Sequence, residues 1–127
     1  AGFKNEEGIV FRNELESWRD KFNCIYTLDR DKIDNWEVGF VTQFVSKVPF
    51  KDFGDNYEVV IVGPPPMMKF TAIEAMKCGV PEGKIWVSYG RKMSCAIGKC
   101  GHCRIDETYV CLEGPVFNYT KAKYLVD

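Results

Sequence analysis

Hydrophobic positions along this chain change period several times, and each change marks an element. Val10, Phe11, Leu15 and Trp18 recur at helical spacing within GIVFRNELESWRDK, residues 8–21, which predicts an amphipathic helix. Asn5 stands where a cap belongs, and Glu6 and Glu7 suit the positive end of a helix dipole. NCIYTL, residues 23–28, is rich in β-formers and predicts a strand. DRDKIDNWEVG, residues 29–39, reads as a charged loop. Phe40, Phe44 and Val48 recur every four positions and predict a short helix over 40–48. YEVVIV, residues 57–62, is a short, mostly apolar run bounded by turn signals, the pattern of a strand buried on both faces. Gly63-Pro64-Pro65-Pro66 follows, then the helix MMKFTAIEAMKCG, which tolerates a proline in its first turn and ends at Gly79. KIWVSY, residues 84–89, predicts the next strand, and beyond Tyr89 the alternation stops. NYTKAKYLV, residues 118–126, predicts a short final helix capped by Asn118.

Strands alternating with helices imply an α/β fold with a doubly wound parallel sheet. Three candidate strands are few for such a sheet. A missing N-terminal strand would account for this, and for a chain that does not begin with Met. The length, 127 residues, suits about one domain, and 46% apolar residues allow a real core. The net charge is −1, so no basic excess points to nucleic acid or a membrane surface. No run approaches a membrane-spanning helix, and the polar start AGFKNEEG does not read as a signal peptide.

Chemistry enters with the cysteines. Cys95, Cys100, Cys103 and Cys111 fall within 17 residues at spacing C-x4-C-x2-C-x7-C, while Cys24 and Cys78 stand apart and read as small buried hydrophobes. A disulfide framework would spread its cysteines to close distant loops. Crowding favours metal ligation in a reducing cytoplasm. C-x4-C-x2-C with a more distant cysteine is the plant-type [2Fe–2S] spacing. A zinc ribbon uses two separated C-x2-C knuckles, and only one exists here. A zinc-stapled interaction domain therefore stands as the alternative, with His102 as a candidate fourth ligand. The other reading of His102 is an exposed loop residue. A Rieske centre needs two histidines and the chain has one. Gly98 and Gly101 let backbone N–H groups come close to sulfur. Arg91, Lys92, Lys99 and Arg104 could offset a cluster's negative charge or be plain solvated surface.

The second signal is VGPPPMM, residues 62–68, at the C-terminal end of a predicted strand and the start of a helix. Ligands of open α/β sheets bind at that edge. By itself the motif also describes a stiffened turn with Met67 and Met68 in the core. No G-x-G-x-x-G is present, so a self-sufficient dinucleotide site is not expected.

Together the two motifs resemble a known family. A strand ending in G-P-P-x-M, a helix and strand, the C-x4-C-x2-C run, and a fourth cysteine followed by E-G-P-V-F look like the C-terminal half of ferredoxin-reductase-like electron-transfer subunits. These include the electron-transfer subunits of dihydroorotate dehydrogenase and of anaerobic sulfite reductase, and the gamma subunit of cytoplasmic nickel–iron hydrogenases. Residues 91–123 are most similar to the sulfite reductase member. The resemblance implies a partial Rossmann-type parallel sheet, 1–89, binding NAD(P)H, then a small [2Fe–2S] subdomain, 90–127. It implies FAD on a separate N-terminal β-barrel, and electrons passing from NAD(P)H through FAD and the cluster to a sirohaem subunit, with ferredoxin-like subunits in the same assembly. It matches Cys95, Cys100, Cys103 and Cys111 to the cluster ligands and Gly63, Pro64, Pro65 and Met67 to the nicotinamide turn. No side chain is assigned a catalytic role. Val62 replaces a cysteine common in relatives, and Gly90 a frequent acidic residue. The barrel and the glycine-rich phosphate loop are absent, so this stretch alone is expected to bind no FAD and NAD(P)H only weakly. Lys4 is a candidate contact for a 2′-phosphate. Val116, Phe117 and Tyr119 read as core, or else as part of a docking face.

Overall fold

The computed structural model describes residues 1–125. It divides into two packed units, Ala1–Val48 and the remainder from Pro49 onward.

The first unit is built on a parallel three-stranded sheet of very short strands, β1 (Gly2–Phe3), β2 (Thr27–Leu28) and β3 (Glu37–Val38), in that order. Of the strand expected over 23–28, only Thr27 and Leu28 join a ladder. The segment expected to be a charged loop, 29–39, supplies β3 as well. Asn5 does cap, but it caps a single 3-10 turn, Glu6–Gly8, by accepting the Gly8 N–H at 2.8 Å. The helix α1 (Arg12–Trp18) starts only after Phe11, which takes a left-handed φ of 55°. Helical periodicity over 8–21 therefore overstated α1 at both ends, and Val10 and Phe11 lie exposed rather than in the core.

Leu15, Tyr26, Leu28 and Trp36 form that core, with Phe3, Ile9, Cys24 and Ile33 packed against it. Burying Tyr26 and Trp36, whose rings carry polar tips, requires partners. The Tyr26 hydroxyl donates to the Leu15 carbonyl, and Trp36 Nε1 donates to Glu16 Oε1 at 3.0 Å. Arg19 stacks its guanidinium 4.6 Å from the Tyr26 ring centre while pairing with Glu16. Residues 41–47 form the expected helix, as a 3-10 helix.

The second unit carries the sheet β4 (Val59–Val62), β5 (Ile85–Ser88) and β8 (Val116–Asn118). β4 and β5 are parallel, joined by the helix α2 (Pro65–Lys77), and β8 returns antiparallel to β5. Prolines occupy the first two positions of α2, where missing N–H groups cost nothing. Gly79 follows the helix with φ 93°, a conformation that favours glycine. Ile61, Met68, Ala72, Ala75, Ile85, Val87 and Phe117 are buried.

One expectation is overturned here. β4 is covered on one face only: Ile61 is buried, but Val60 and Val62 are 64% and 68% exposed. A continuous apolar run does not distinguish one covered face from two, because alternation is visible only when the second face is polar. The final helix is one turn, α4 (Tyr119–Ala122), with Asn118 Oδ1 accepting the Thr120 N–H at 3.1 Å; residue 126 of the expected helix lies outside the described residues. Among the described residues, no helix is long and apolar enough to cross a membrane.

Candidate metal centre and nucleotide turn

Parallel pairing places Val62 opposite Ser88 at the C-terminal ends of β4 and β5. Gly63-Pro64-Pro65 leaves the first strand at that edge, and Tyr89 and the cysteine segment leave the second. The cysteine segment is an excursion with pinned ends. Tyr89 N–H donates to the Pro115 carbonyl at 2.9 Å, and β8 then pairs with β5 through Ser88 and Val116. Residues 90–114 thus leave the sheet and come back beside their own starting point. Adjacent strands lie about 5 Å apart, so the turn and the excursion begin as neighbours.

Inside the excursion, backbone geometry is dictated by sulfur. Gly98 and Gly101 take φ of 75° and 73°, and Ala96 a φ of 57°. This winding turns amides inward. Cys95 Sγ accepts from the N–H groups of Ile97 at 3.5 Å, Lys99 at 3.3 Å and Cys100 at 3.3 Å. Cys100 Sγ accepts from His102 N–H at 3.4 Å, and Cys103 Sγ from Cys111 N–H at 3.4 Å. These donors favour thiolate. The N–H groups of Ile97, Cys100 and Lys99 lower the Cys95 thiol to about 6. The Cys111 N–H lowers Cys103, whereas burial pushes Cys111 itself up.

Neighbouring thiols add to these shifts: Cys100 helps lower Cys95, Cys111 helps lower Cys103, and Cys103 and Cys95 help raise Cys111. Among the described residues, no three metal-ligating side chains gather closely enough to hold a single ion. Cys103 is buried with Ile105 and Val110, which anchor the hairpin of β6 (Arg104–Ile105) and β7 (Thr108–Tyr109) and the one-turn helix α3 (Val110–Glu113). Cys100 is exposed, and Cys95 and Cys111 are half-buried. His102 is exposed, and its Nδ1 hydrogen-bonds Ser94 Oγ at 2.9 Å. Cys24 and Cys78 are half-buried rather than core, and neither joins the cluster.

At the turn, the Met67 methyl occupies the space that a Cβ on Gly63 would take. Met67 Sδ accepts from the Thr71 hydroxyl at 3.2 Å, one turn along α2. Met68 is buried core, as a stiffened turn requires. Pro64 and Pro65 hold the helix start, with Met68 N–H donating to the Pro64 carbonyl. Phe117 is core, Val116 is exposed and Tyr119 is half-buried.

Two features escaped sequence reasoning. Leu112 lies across Gly98, in the space a Cβ would need. A cleft of about 390 Å³ opens beside α2, lined by Pro65, Met68, Phe70, Tyr89, Tyr119 and Lys123. Both depend on contacts between distant segments that no local period encodes.

Residues 1–73 match the family model of the oxidoreductase NAD-binding domain. Residues 90–123 match that of the iron–sulfur cluster binding domain of dihydroorotate dehydrogenase B. The sulfhydrogenase 2 gamma subunit of Pyrococcus furiosus is 33% identical over 95% of this chain and 48% of its own length. The electron transfer subunit of dihydroorotate dehydrogenase B (NAD(+)) from Bacillus pumilus is 28% identical over 91% of this chain and 42% of its own. The solved structure of an NADH-dependent reduced ferredoxin–NADP oxidoreductase superposes with a TM-score of 0.62 at 27% identity, over 94% of this chain and 41% of that one. The chain spans about half the length of the relatives it matches, or less. It belongs to the ferredoxin-reductase-like oxidoreductase NAD-binding family, and it carries the iron–sulfur binding domain of the dihydroorotate dehydrogenase B type behind that fold.

Proposed function

We propose that this chain is the electron-transfer part of an NAD(P)H-dependent oxidoreductase. In this reading, residues 1–89 take the nicotinamide nucleotide and residues 90–127 hold a [2Fe–2S] cluster on Cys95, Cys100, Cys103 and Cys111. The observation that carries it is the departure of the Gly63 turn and the cysteine excursion from adjacent strand ends. The C-x4-C-x2-C-x7-C spacing, with a single C-x2-C knuckle, suits two irons better than one zinc ion.

A flavin on a separate domain would supply two-electron hydride chemistry, and a cluster held by Cys95, Cys100, Cys103 and Cys111 would supply one-electron transfer. The chain's own residues do the rest. Gly63, Pro64, Pro65 and Met67 present a stiff turn to the nicotinamide at the strand edge, with the Met67 methyl over Gly63. The inward amides of Ile97, Lys99, Cys100, His102 and Cys111 stabilise negative charge on sulfur. Ile105 and Val110 keep water from the Cys103 side.

For the terminal partner, the tail FNYTKAK favours the sirohaem subunit of an anaerobic sulfite reductase, with ferredoxin-like subunits completing the complex. The relatives named above favour a hydrogenase or dihydroorotate dehydrogenase partner instead. Clustered, unpaired thiols at metal spacing support a cytoplasmic setting. In this reading the flavin sits on a separate domain, and activity with a nicotinamide nucleotide requires that domain. The test is anaerobic titration of the complete polypeptide with NADH and NADPH, followed by absorbance, after purification with its bound partners. Bleaching of flavin and then cluster supports the proposal, and co-purified sirohaem selects sulfite reductase. A cluster that dithionite reduces and neither nucleotide does overturns it.

A further inference from the structure

Residues 91–105 carry four basic side chains and no carboxylate. Lys92, Lys99 and Arg104 are exposed, and none has an ion-pair partner among the described residues. The next carboxylates along the chain are Asp106 and Glu107, at the tip of the β6–β7 hairpin, and Glu113, which is tied to Lys121 at 2.8 Å. Ile97, between Lys92 and Lys99 in the chain, is 58% exposed, and Leu112, beyond the β6–β7 hairpin, is 61% exposed. Leu112 reaches from α3 over Gly98, the residue after Ile97 on the loop whose amides point at Cys95. Cys100, the most open of the four thiols, belongs to the same loop.

Neither aliphatic side chain is needed for the core, and exposing both has a solvation cost. A small apolar centre with unpaired charges of one sign in the same loop is the composition of a transient docking surface. Charge steers the encounter and a few apolar contacts hold it briefly. We propose that this surface docks an electron-carrier protein whose own redox centre lies in an acidic face. Ile97 and Leu112 make the dry contact, and Lys92, Lys99 and Arg104 supply the attraction. The proposal rests on the cluster reading above. One electron leaves the reduced cluster and one acceptor centre is reduced, with no proton or group transferred.

The alternative use of the same charges is to offset the cluster's own charge, and the two are separable. The protein, loaded with cluster and reduced by dithionite, is mixed with two haem-protein acceptors: the acidic haem domain of cytochrome b5 and the basic cytochrome c. Electron transfer to the acidic acceptor is expected to slow about tenfold between 20 mM and 500 mM salt, as screening of steered association requires. The Lys92→Glu/Lys99→Glu/Arg104→Glu variant slows it about tenfold at low salt and speeds transfer to cytochrome c. The milder Lys92→Gln/Lys99→Gln/Arg104→Gln variant moves both rates the same way, less far, and keeps the test open if inversion of charge prevents folding. A changed cluster potential would move both acceptors in one direction, so opposite shifts identify docking. Rates to both acceptors that ignore salt, or that change together in both variants, overturn the docking surface alone. Protein that takes up no iron and sulfide overturns the cluster reading, and this proposal with it.

Discussion

Val62 and Ser88 face each other at the last rung of the parallel β4–β5 ladder. Everything proposed for this chain is arranged from that rung. One residue further, the first strand becomes the Gly63 turn, and the second becomes Tyr89 and the cysteine excursion. The turn proposed for the two-electron donor and the loop proposed for the one-electron carrier therefore start side by side on one sheet edge, where open α/β folds bind their ligands.

Gly63→Ala tests the turn. The new Cβ meets only the flexible end of Met67, so stability should change by less than about 1 kcal/mol, as for substitutions that displace a mobile side chain. The Met67 side chain must then move into the space above the turn. Reduction of the complete polypeptide by NADH is expected to fall at least tenfold in stopped-flow absorbance, with dithionite reduction unchanged. An unaltered NADH rate would remove Gly63 from the nucleotide site.

Gly98 and Gly101 separate two causes of glycine dependence. Both have positive φ, which costs a side-chain-bearing residue about 1–2 kcal/mol. Only Gly98 also carries Leu112 in the space of its missing Cβ, while Gly101 faces open space. Gly98→Ala should therefore destabilise more than Gly101→Ala in denaturant unfolding. Adding Leu112→Ala should recover part of the loss at Gly98 and none at Gly101. Equal losses that Leu112→Ala does not change would mean that Leu112 does not rest on Gly98 in solution.

The Cys95 thiol gives a pH signature in metal-free protein. Three amides lower it from 9.0 to about 6, so its deprotonation favours the wound loop. That stabilisation is fully present above about pH 9 and is lost as pH falls through about 6. Alkylation followed by peptide mass mapping should modify Cys95 half-maximally near pH 6, and Cys111, which burial pushes up, only at higher pH. If the two thiols titrate together, the inward amides are absent in solution.

The motifs were legible because their chemistry is local. Four cysteines at ligand spacing and a Gly-Pro-Pro turn after an apolar run are each read within 20 residues. Asn118 capping the last helix and prolines opening α2 were equally local. What stayed hidden was pairing between distant segments. β1 and β3 are two-residue strands, too short to print a period, and they exist only because β2 lies between them. The single covered face of β4 was invisible because Val60 and Val62 are apolar although exposed. α1 lost its first turn because Asn5 and Gly8 close a separate turn first, and Phe11 reverses the chain.

Asn118 fastens the returning strand. Besides capping α4, its Nδ2 donates to the Gly83 carbonyl at 2.8 Å, and Lys123 pairs with Glu82 at 2.7 Å nearby. Asn118→Ala removes the cap and that bond together and should cost about 1–2 kcal/mol in denaturant unfolding. Asn118→Asp keeps the cap acceptor and should cost less. A loss below about 0.5 kcal/mol for the alanine variant, less than an ordinary cap contributes, would mean that neither bond holds.

The proposed role of the chain depends most on Cys95, Cys100, Cys103 and Cys111 holding a two-iron cluster. Anaerobically prepared protein should be analysed for iron, acid-labile sulfide and zinc alongside its visible spectrum. Brown protein with about two irons and two sulfides per chain is expected, as this ligand set requires. Replacing any one of the four cysteines by alanine should abolish the colour. Colourless protein holding about one zinc, and refusing iron and sulfide on reconstitution, would contradict the cluster assignment.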